Sequence, residues 1–147
     1  MKRILVAVDG SSPSLRAVDL GADLAAKYGA ELLLMNVMPE QAMVDPTLRE
    51  FARSEGLEGS PYEVFRAFVS KALSDAQTHA NDAGVSRVTP EIATGDPAAV
   101  ILAAAEHRSI DLIVLGRRGR GQLSALLLGS VSQKVANGAA CPVLIVR

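Results

Sequence analysis

The chain has 147 residues, of which 49% are hydrophobic, so it can close one full core and is predicted to form a single domain over residues 1–147. Its 15 basic and 16 acidic residues give a net charge of −1, which argues against an overall attraction to nucleic acid or to an anionic membrane. Aromatic residues make up 3% of the chain and tryptophan is absent, so a ring-stacking platform for single-stranded nucleic acid or a flavin is hard to build.

The sequence indicates a cytoplasmic protein. The opening MKRILVAVDGSS imitates a secretory signal, but its apolar run has five residues and ends at Asp9. No run approaches the roughly 20 apolar residues of a membrane span. Cys141 is the only cysteine, and we expect a buried thiol in a reducing compartment in preference to a redox group.

The first two predicted strands are separated by a helix. Residues 4–8 show the continuous apolar pattern of a strand buried on both faces, and Asp9-Gly10 follows them. Ser12 and Pro13 are predicted as the cap and first turn of a helix that ends at Gly29. Residues 31–37 then form the second strand.

The middle of the chain combines an irregular segment with a long helix. Residues 39–59 sustain no period, and a helical turn is expected near residues 47–53. Ser60-Pro61-Tyr62-Glu63 is typical of a capping box, and it begins a helix that ends near Gly84.

Three further strands and a helix complete the pattern. Residues 87–93 form a weaker strand, and Pro90 within it indicates a sheet edge because proline cannot donate to a ladder. Asp96-Pro97 begins a helix that runs to about residue 107. Residues 111–115 and 143–146 are the fourth and fifth strands.

Five strands that alternate with four helices predict a doubly wound α/β domain, with a parallel sheet, helices on both faces and right-handed crossovers. Periodicity does not determine strand order. The common order 3-2-1-4-5 would place Pro90 at an edge and make strands 1 and 4 neighbours where the winding reverses. Ligands bind at such a point, so Asp9 and Gly116 are expected to face one crevice.

The segment after the fourth strand has the composition of an anion site. Glycines let the backbone approach a ligand, and arginines stand between them: Gly116, Arg117, Arg118, Gly119, Arg120 and Gly121. Gly129-Ser130 then begins a short helix whose first N–H groups would point back at this loop. Each of these features also has a purely structural interpretation. The glycines would suit a tight connection, the arginines would suit a solvent-exposed rim, and Asp9 would suit an Asx turn.

The spacing Gly116-x2-Gly119-x9-Gly129-Ser130 resembles the signature of the universal stress protein family, in its nucleotide-binding branch. The opening KRILVAVDGS and the closing CPVLIVR are similar to the ends of that family's chains, so the resemblance covers essentially the whole sequence. It implies an ATP-binding α/β domain, usually a homodimer paired through its last strand, that acts in stress responses without a settled catalytic activity.

The resemblance also implies roles for individual residues. Asp9 would lie by the ribose or by a divalent metal, Mg²⁺ or Mn²⁺, bound through ATP, while Ala7 and Val37 would contact the adenosine end. The ribose and phosphates would be surrounded by Gly116, Arg118, Gly119, Gly129, Ser130, Val131 and Ser132, the last at a position often held by threonine. Contacts of Arg117 and Arg118 with phosphate are inferred from charge, and the predicted nucleotide-binding set is completed by Val8, Leu115 and Arg120.

The predicted function is adenine-nucleotide binding by a stress-response module or switch, with no dedicated catalytic residue. The sequence has no G-x-x-x-x-G-K-[ST] loop, no G-x-S-x-G elbow and no closely spaced Cys or His pair. A slow metal-dependent ATPase stays open as an alternative, as does binding of another nucleotide such as cyclic AMP. Nucleic-acid binding through the arginines would be steeply salt-dependent and is not expected. Residues 143–146, at the edge opposite Pro90, would pair with a second copy in a homodimer.

Overall fold

The fold is built on a five-stranded parallel sheet. The computed structural model describes residues 1–39, 46–119 and 128–147. The strand order is β3-β2-β1-β4-β5 and all four neighbouring pairs are parallel, which confirms the predicted architecture and order. The strands are β1 (Arg3–Ala7), β2 (Glu31–Met38), β3 (Val88–Thr94), β4 (Leu112–Gly116) and β5 (Val143–Val146).

The described residues form five helices, one more than the four predicted. The additional helix is the turn expected near residues 47–53, which extends to nine residues and packs on the next helix through the edge-on contact of Phe51 with Phe68. The helices are α1 (Ser12–Tyr28), α2 (Pro46–Ser54), α3 (Pro61–Asp82), α4 (Pro97–His107) and α5 (Ser130–Gly138). Within the described ranges, none of them is long and apolar enough to cross a bilayer.

Side-chain caps begin three of these helices. Ser60 and Glu63 form the predicted capping box of α3, and the Asp96 carboxylate caps α4. The prediction for α1 was wrong by one residue, because Ser11 has the extended backbone of a cap and accepts the N–H of Ser14, whereas Ser12 is already helical. Proline therefore occupies the second helical position of α1.

The two faces of the sheet bury separate apolar clusters. Val6 of β1 lies with Val18 of α1 and Val69 of α3 on one face. Leu5, which points the other way, lies with Ile101 of α4 and with residues of α5 on the opposite face. Helices therefore cover both faces, as predicted for a doubly wound sheet.

The two edge strands match the positions expected of them. Pro90 lies in β3 opposite Leu34. The N–H of Leu32 donates to the carbonyl of Arg87, and this phase turns the backbone nitrogen of Pro90 toward the open side of the strand, where a missing donor costs no ladder bond. β5 forms the other edge.

Cys141, just before β5, is half-buried, so its thiol is less buried than predicted. Desolvation still raises the pKa of the Cys141 thiol above its ordinary value. The thiol therefore stays protonated and weakly nucleophilic at neutral pH.

Candidate functional site

The winding of the chain reverses between β1 and β4. α1 follows β1 and packs on one face of the sheet, while α5 follows the loop after β4 and packs on the other. The two connections diverge and leave a crevice beyond the carboxyl ends of the two strands. Asp9 follows β1 and Gly116 ends β4, so both lie at this crevice, as the sequence predicted.

The Asp9 carboxylate is held by a short turn. Its Oδ1 accepts the backbone N–H of Ser11 at 2.9 Å, and its own N–H donates to the hydroxyl of Ser14 at 3.4 Å. The Asx turn that was considered as a purely structural role for Asp9 is therefore present. It uses one carboxylate oxygen, and Oδ2 remains turned toward the loop that follows β4.

Gly119 brings that loop against Asp9. A Cβ built on Gly119 would collide with Oδ2 of Asp9, well inside van der Waals contact. A side chain at residue 119 would displace the carboxylate, so glycine here lets the loop backbone lie close to the acidic group.

Gly116 has a different neighbour. A Cβ on Gly116 would lie 2.7 Å from the carbonyl carbon of Pro13 and 2.8 Å from the amide nitrogen of Ser14. The first turn of α1 therefore rests directly on the end of β4, and only a residue without a side chain allows this approach.

The start of α5 closes the other side of the loop. The N–H of Gly129 donates to the carbonyl of Arg117 at 3.0 Å, and a Cβ on Gly129 would lie 3.3 Å from the Cα of Arg118. Gly129 is the cap residue of α5 and makes no side-chain cap hydrogen bond. In contrast to α1, α3 and α4, this helix thus presents its first amides and its positive dipole end without a side-chain cap, an arrangement that favours a bound anion.

Ser132 connects α5 to the end of β4 through a buried hydrogen bond. Its side chain donates to the carbonyl of Gly116 at 2.9 Å, and the residue is only 5% exposed. The hydroxyl proton is therefore used to tie α5 to the end of β4, whereas Ser130, in the first turn, is exposed. The sequence could not distinguish the two hydroxyls, because the partner of Ser132 lies 16 residues away.

The structure places the predicted arginines and strand-end residues as follows. The N–H of Arg117 donates to Val146 at 2.6 Å, and the side chains of Arg117 and Arg118 are half-buried. Arg120 lies outside the described residues. The remaining predicted residues at this edge of the sheet are Ala7 and Val37, half-buried, Val131, also half-buried, and Val8 and Leu115, buried.

Asn36 is a residue that the sequence reasoning missed. It lies in β2 next to Val37, is 2% exposed, and its Nδ2 donates to the carbonyl of Val8 at 2.6 Å. Its Oδ1 is buried with no hydrogen-bond partner. The available signal was a single amide that interrupts the apolar run ELLLMNV at its carboxyl end.

The protein side chains alone do not offer a metal site in the described ranges, where no three His, Cys, Asp or Glu residues cluster. Asp9 presents one carboxylate oxygen to the crevice. A divalent cation would therefore fit only if a ligand supplied most of its coordinating oxygens.

Comparison with known proteins gives a consistent result over the full length. A family model described as "Universal stress protein family" matches residues 1–147. The universal stress protein YxiE of Bacillus subtilis is 37% identical over 147 residues, covering 99% of this chain and 98% of that protein. The structure of the universal stress protein UspA from Lactobacillus plantarum has a TM-score of 0.79 and 28% identity, covering 99% of this chain and 97% of that one. A universal stress protein crystallised in complex with cAMP has a TM-score of 0.72 and 27% identity, with 99% and 96% covered.

Proposed function

The chain belongs to the universal stress protein family, and on that premise we propose that it binds an adenine nucleotide, ATP foremost, in the crevice between β1 and β4. Bound nucleotide would make it a stress-response binding module or switch. The structural neighbour in complex with cAMP supports the nucleotide class of the ligand.

The observation that carries the proposal is the close approach of Gly119 to Asp9 across the crevice. An uncapped helix start and a glycine loop favour phosphate, but the Asp9 carboxylate repels it. A Mg²⁺ or Mn²⁺ ion held by the phosphates would reconcile the two, since Asp9 could then contact the metal or its water.

The other residues would surround this centre. Gly116, Gly119 and the first amides of α5 at Ser130 and Val131 would hold the phosphates, with Arg117 and Arg118 adding positive charge. Ala7 and Val37 would lie at the adenosine end, and Ser132 would act by fixing Gly116. Contact of Arg120 with phosphate remains a prediction from its charge.

Cyclic AMP is the second candidate, and the neighbour in complex with it is the observation that favours it. Its single phosphate carries one negative charge and does not chelate a cation as a triphosphate does. Binding of cAMP would therefore be independent of magnesium, which separates the two candidates experimentally.

Calorimetric titration of ATP into wild type and Asp9→Asn, with and without magnesium, tests the proposal. We expect magnesium to strengthen ATP binding by wild type, and Asp9→Asn to lose about tenfold or more in magnesium-dependent affinity. The amide can still accept the N–H of Ser11, so the free energy of unfolding should change by about 0.5 kcal/mol or less.

The matched control is Asp23→Asn, an exposed carboxylate on α1, which should bind ATP as wild type does. Absence of ATP and cAMP binding by wild type at millimolar concentration would contradict the proposal. Equal affinities of Asp9→Asn and wild type in magnesium would remove Asp9 from the site.

A further inference from the structure

The ladder between β1 and β2 ends one hydrogen bond early. The N–H of Glu31 donates to the carbonyl of Lys2, and the N–H of Val8 donates to the carbonyl of Met35 at 2.8 Å. If the ladder continued with the same alternation of hydrogen bonds, Val8 would pair with Asn36, and the N–H of Val37 would donate to the carbonyl of Val8. Among the hydrogen bonds of the described ranges, none joins those two groups.

The side chain of Asn36 supplies a donor to the Val8 carbonyl in place of the missing ladder bond. Its Nδ2 donates to the carbonyl of Val8 at 2.6 Å, a short bond to the acceptor that the N–H of Val37 would otherwise use. The same carboxamide leaves Oδ1 buried and without a partner. A β-branched or aliphatic residue would suit a buried strand better, so stability alone does not explain an asparagine here.

The early end of the ladder leaves the N–H and C=O groups of Val37 without a partner in β1. The N–H and C=O of Val37 both point in the plane of the sheet toward the position that β1 has vacated, because its neighbours Asn36 and Met38 direct their backbone groups to β3. One residue then offers a donor and an acceptor side by side at the crevice. The N1 and N6 atoms of adenine are an adjacent acceptor and donor, whereas the corresponding edge of inosine or guanine has the reverse pattern.

We propose that Asn36 is a positioning residue: it withholds the carbonyl of Val8 from the ladder, and so leaves the Val37 peptide groups free to select an adenine base. This role rests on the proposed nucleotide site. Asn36 itself need not touch the ligand, and the selectivity comes from the backbone that its side chain releases.

The test compares wild type, Asn36→Leu and Asn36→His by two measurements. Affinities for AMP and IMP give base selectivity, and amide hydrogen exchange at Val37 in the ligand-free protein reports the ladder bond directly. Leucine removes the competing donor and lets the ladder close. Histidine is the conservative variant, because its Nδ1 is attached to Cγ as Nδ2 is in asparagine and can donate to the same carbonyl.

We expect Asn36→Leu to reduce the preference for AMP over IMP by about tenfold or more, the value of one or two hydrogen bonds. Exchange at Val37 should slow in this variant, and its thermal midpoint should not fall. Asn36→His should retain both the preference for AMP and the faster exchange. A purely structural role for the amide predicts a lower midpoint in Asn36→Leu with unchanged base preference.

The two ways of failing are distinguishable. If wild type prefers AMP and Asn36→Leu keeps the same preference, the role of Asn36 is overturned and the nucleotide site stands. If wild type binds none of AMP, IMP and ATP, the nucleotide site fails and the selectivity role fails with it. Slow exchange at Val37 in ligand-free wild type would overturn the early end of the ladder whatever the affinities.

Discussion

Two glycines three residues apart, Gly116 at the end of β4 and Gly119 in the loop that follows, have neighbours of different kinds. Gly116 faces backbone atoms of Pro13 and Ser14, which are fixed by the first turn of α1. Gly119 faces the far end of the Asp9 side chain, which can rotate away. The same substitution at the two positions should therefore separate folding from binding.

We expect Gly116→Ala to lower the free energy of unfolding by about 1–3 kcal/mol, the usual cost of forcing a methyl group into a packed site. Gly119→Ala should cost less than about 1 kcal/mol, since one side chain moves, but should weaken magnesium-dependent ATP binding by about tenfold because Asp9 is displaced. Urea unfolding and calorimetric titration of both variants measure the two effects. Equal stability losses would show that the neighbours of Gly119 are as rigid as those of Gly116.

At the scale of elements, β1 is fastened to the start of β4 by one carboxylate. The Oδ2 atom of Asp111 accepts the backbone N–H groups of Lys2 and Arg3. These two donors, that of Lys2 first, hold the pKa of the Asp111 carboxyl below its ordinary value of 3.8. The ionised form is therefore bound more tightly in the folded protein than in the unfolded chain.

The lowered pKa gives a pH dependence with a definite sign. The stabilisation is complete above pH 3.8, the ordinary value, and is lost as the pH falls through the lower pKa of the folded state. We expect Asp111→Asn to be less stable than wild type at neutral pH, and the difference to shrink below about pH 4. Urea unfolding from about pH 6 to about pH 2.5 measures it, with Glu106→Gln, an exposed residue of α4, as control. A difference that stays constant over this range would contradict the assignment.

At the scale of the whole molecule, the architecture could be predicted because it rests on local signals. Apolar runs marked the strands, and Pro90 agreed with the common strand order 3-2-1-4-5, which places it at an edge. Two hydrogen bonds of the site could not be predicted: that from Ser132 to Gly116 and that from the Asn36 amide to Val8. The first joins residues 16 positions apart and the second joins residues 28 positions apart, and only the folded sheet brings them together. The single domain and the cytoplasmic location remain predictions from the sequence.

The open edge of β5 bears on assembly. The N–H groups of Ile113 and Arg117 donate to the carbonyls of Pro142 and Val146, a phase that turns the N–H and C=O groups of Val143 and Ile145 outward. All four residues of β5 are apolar and half-buried. An antiparallel pair of such strands centred on Leu144 would join Val143 of one copy to Ile145 of the other by four hydrogen bonds, with two-fold symmetry.

We predict a homodimer built through this edge, and proline substitution tests it without disturbing the sheet. Ile145→Pro removes an outward N–H and leaves the bonds to β4 in place, so the circular dichroism spectrum should be retained while sedimentation at micromolar concentration shows monomer. The matched control is Ile92→Pro, because the N–H of Ile92 faces outward from β3 at the other edge, in the same phase as Pro90. That variant should sediment as the wild-type dimer does. A monomeric wild type would contradict the dimer itself, and a dimeric Ile145→Pro would move the interface away from β5.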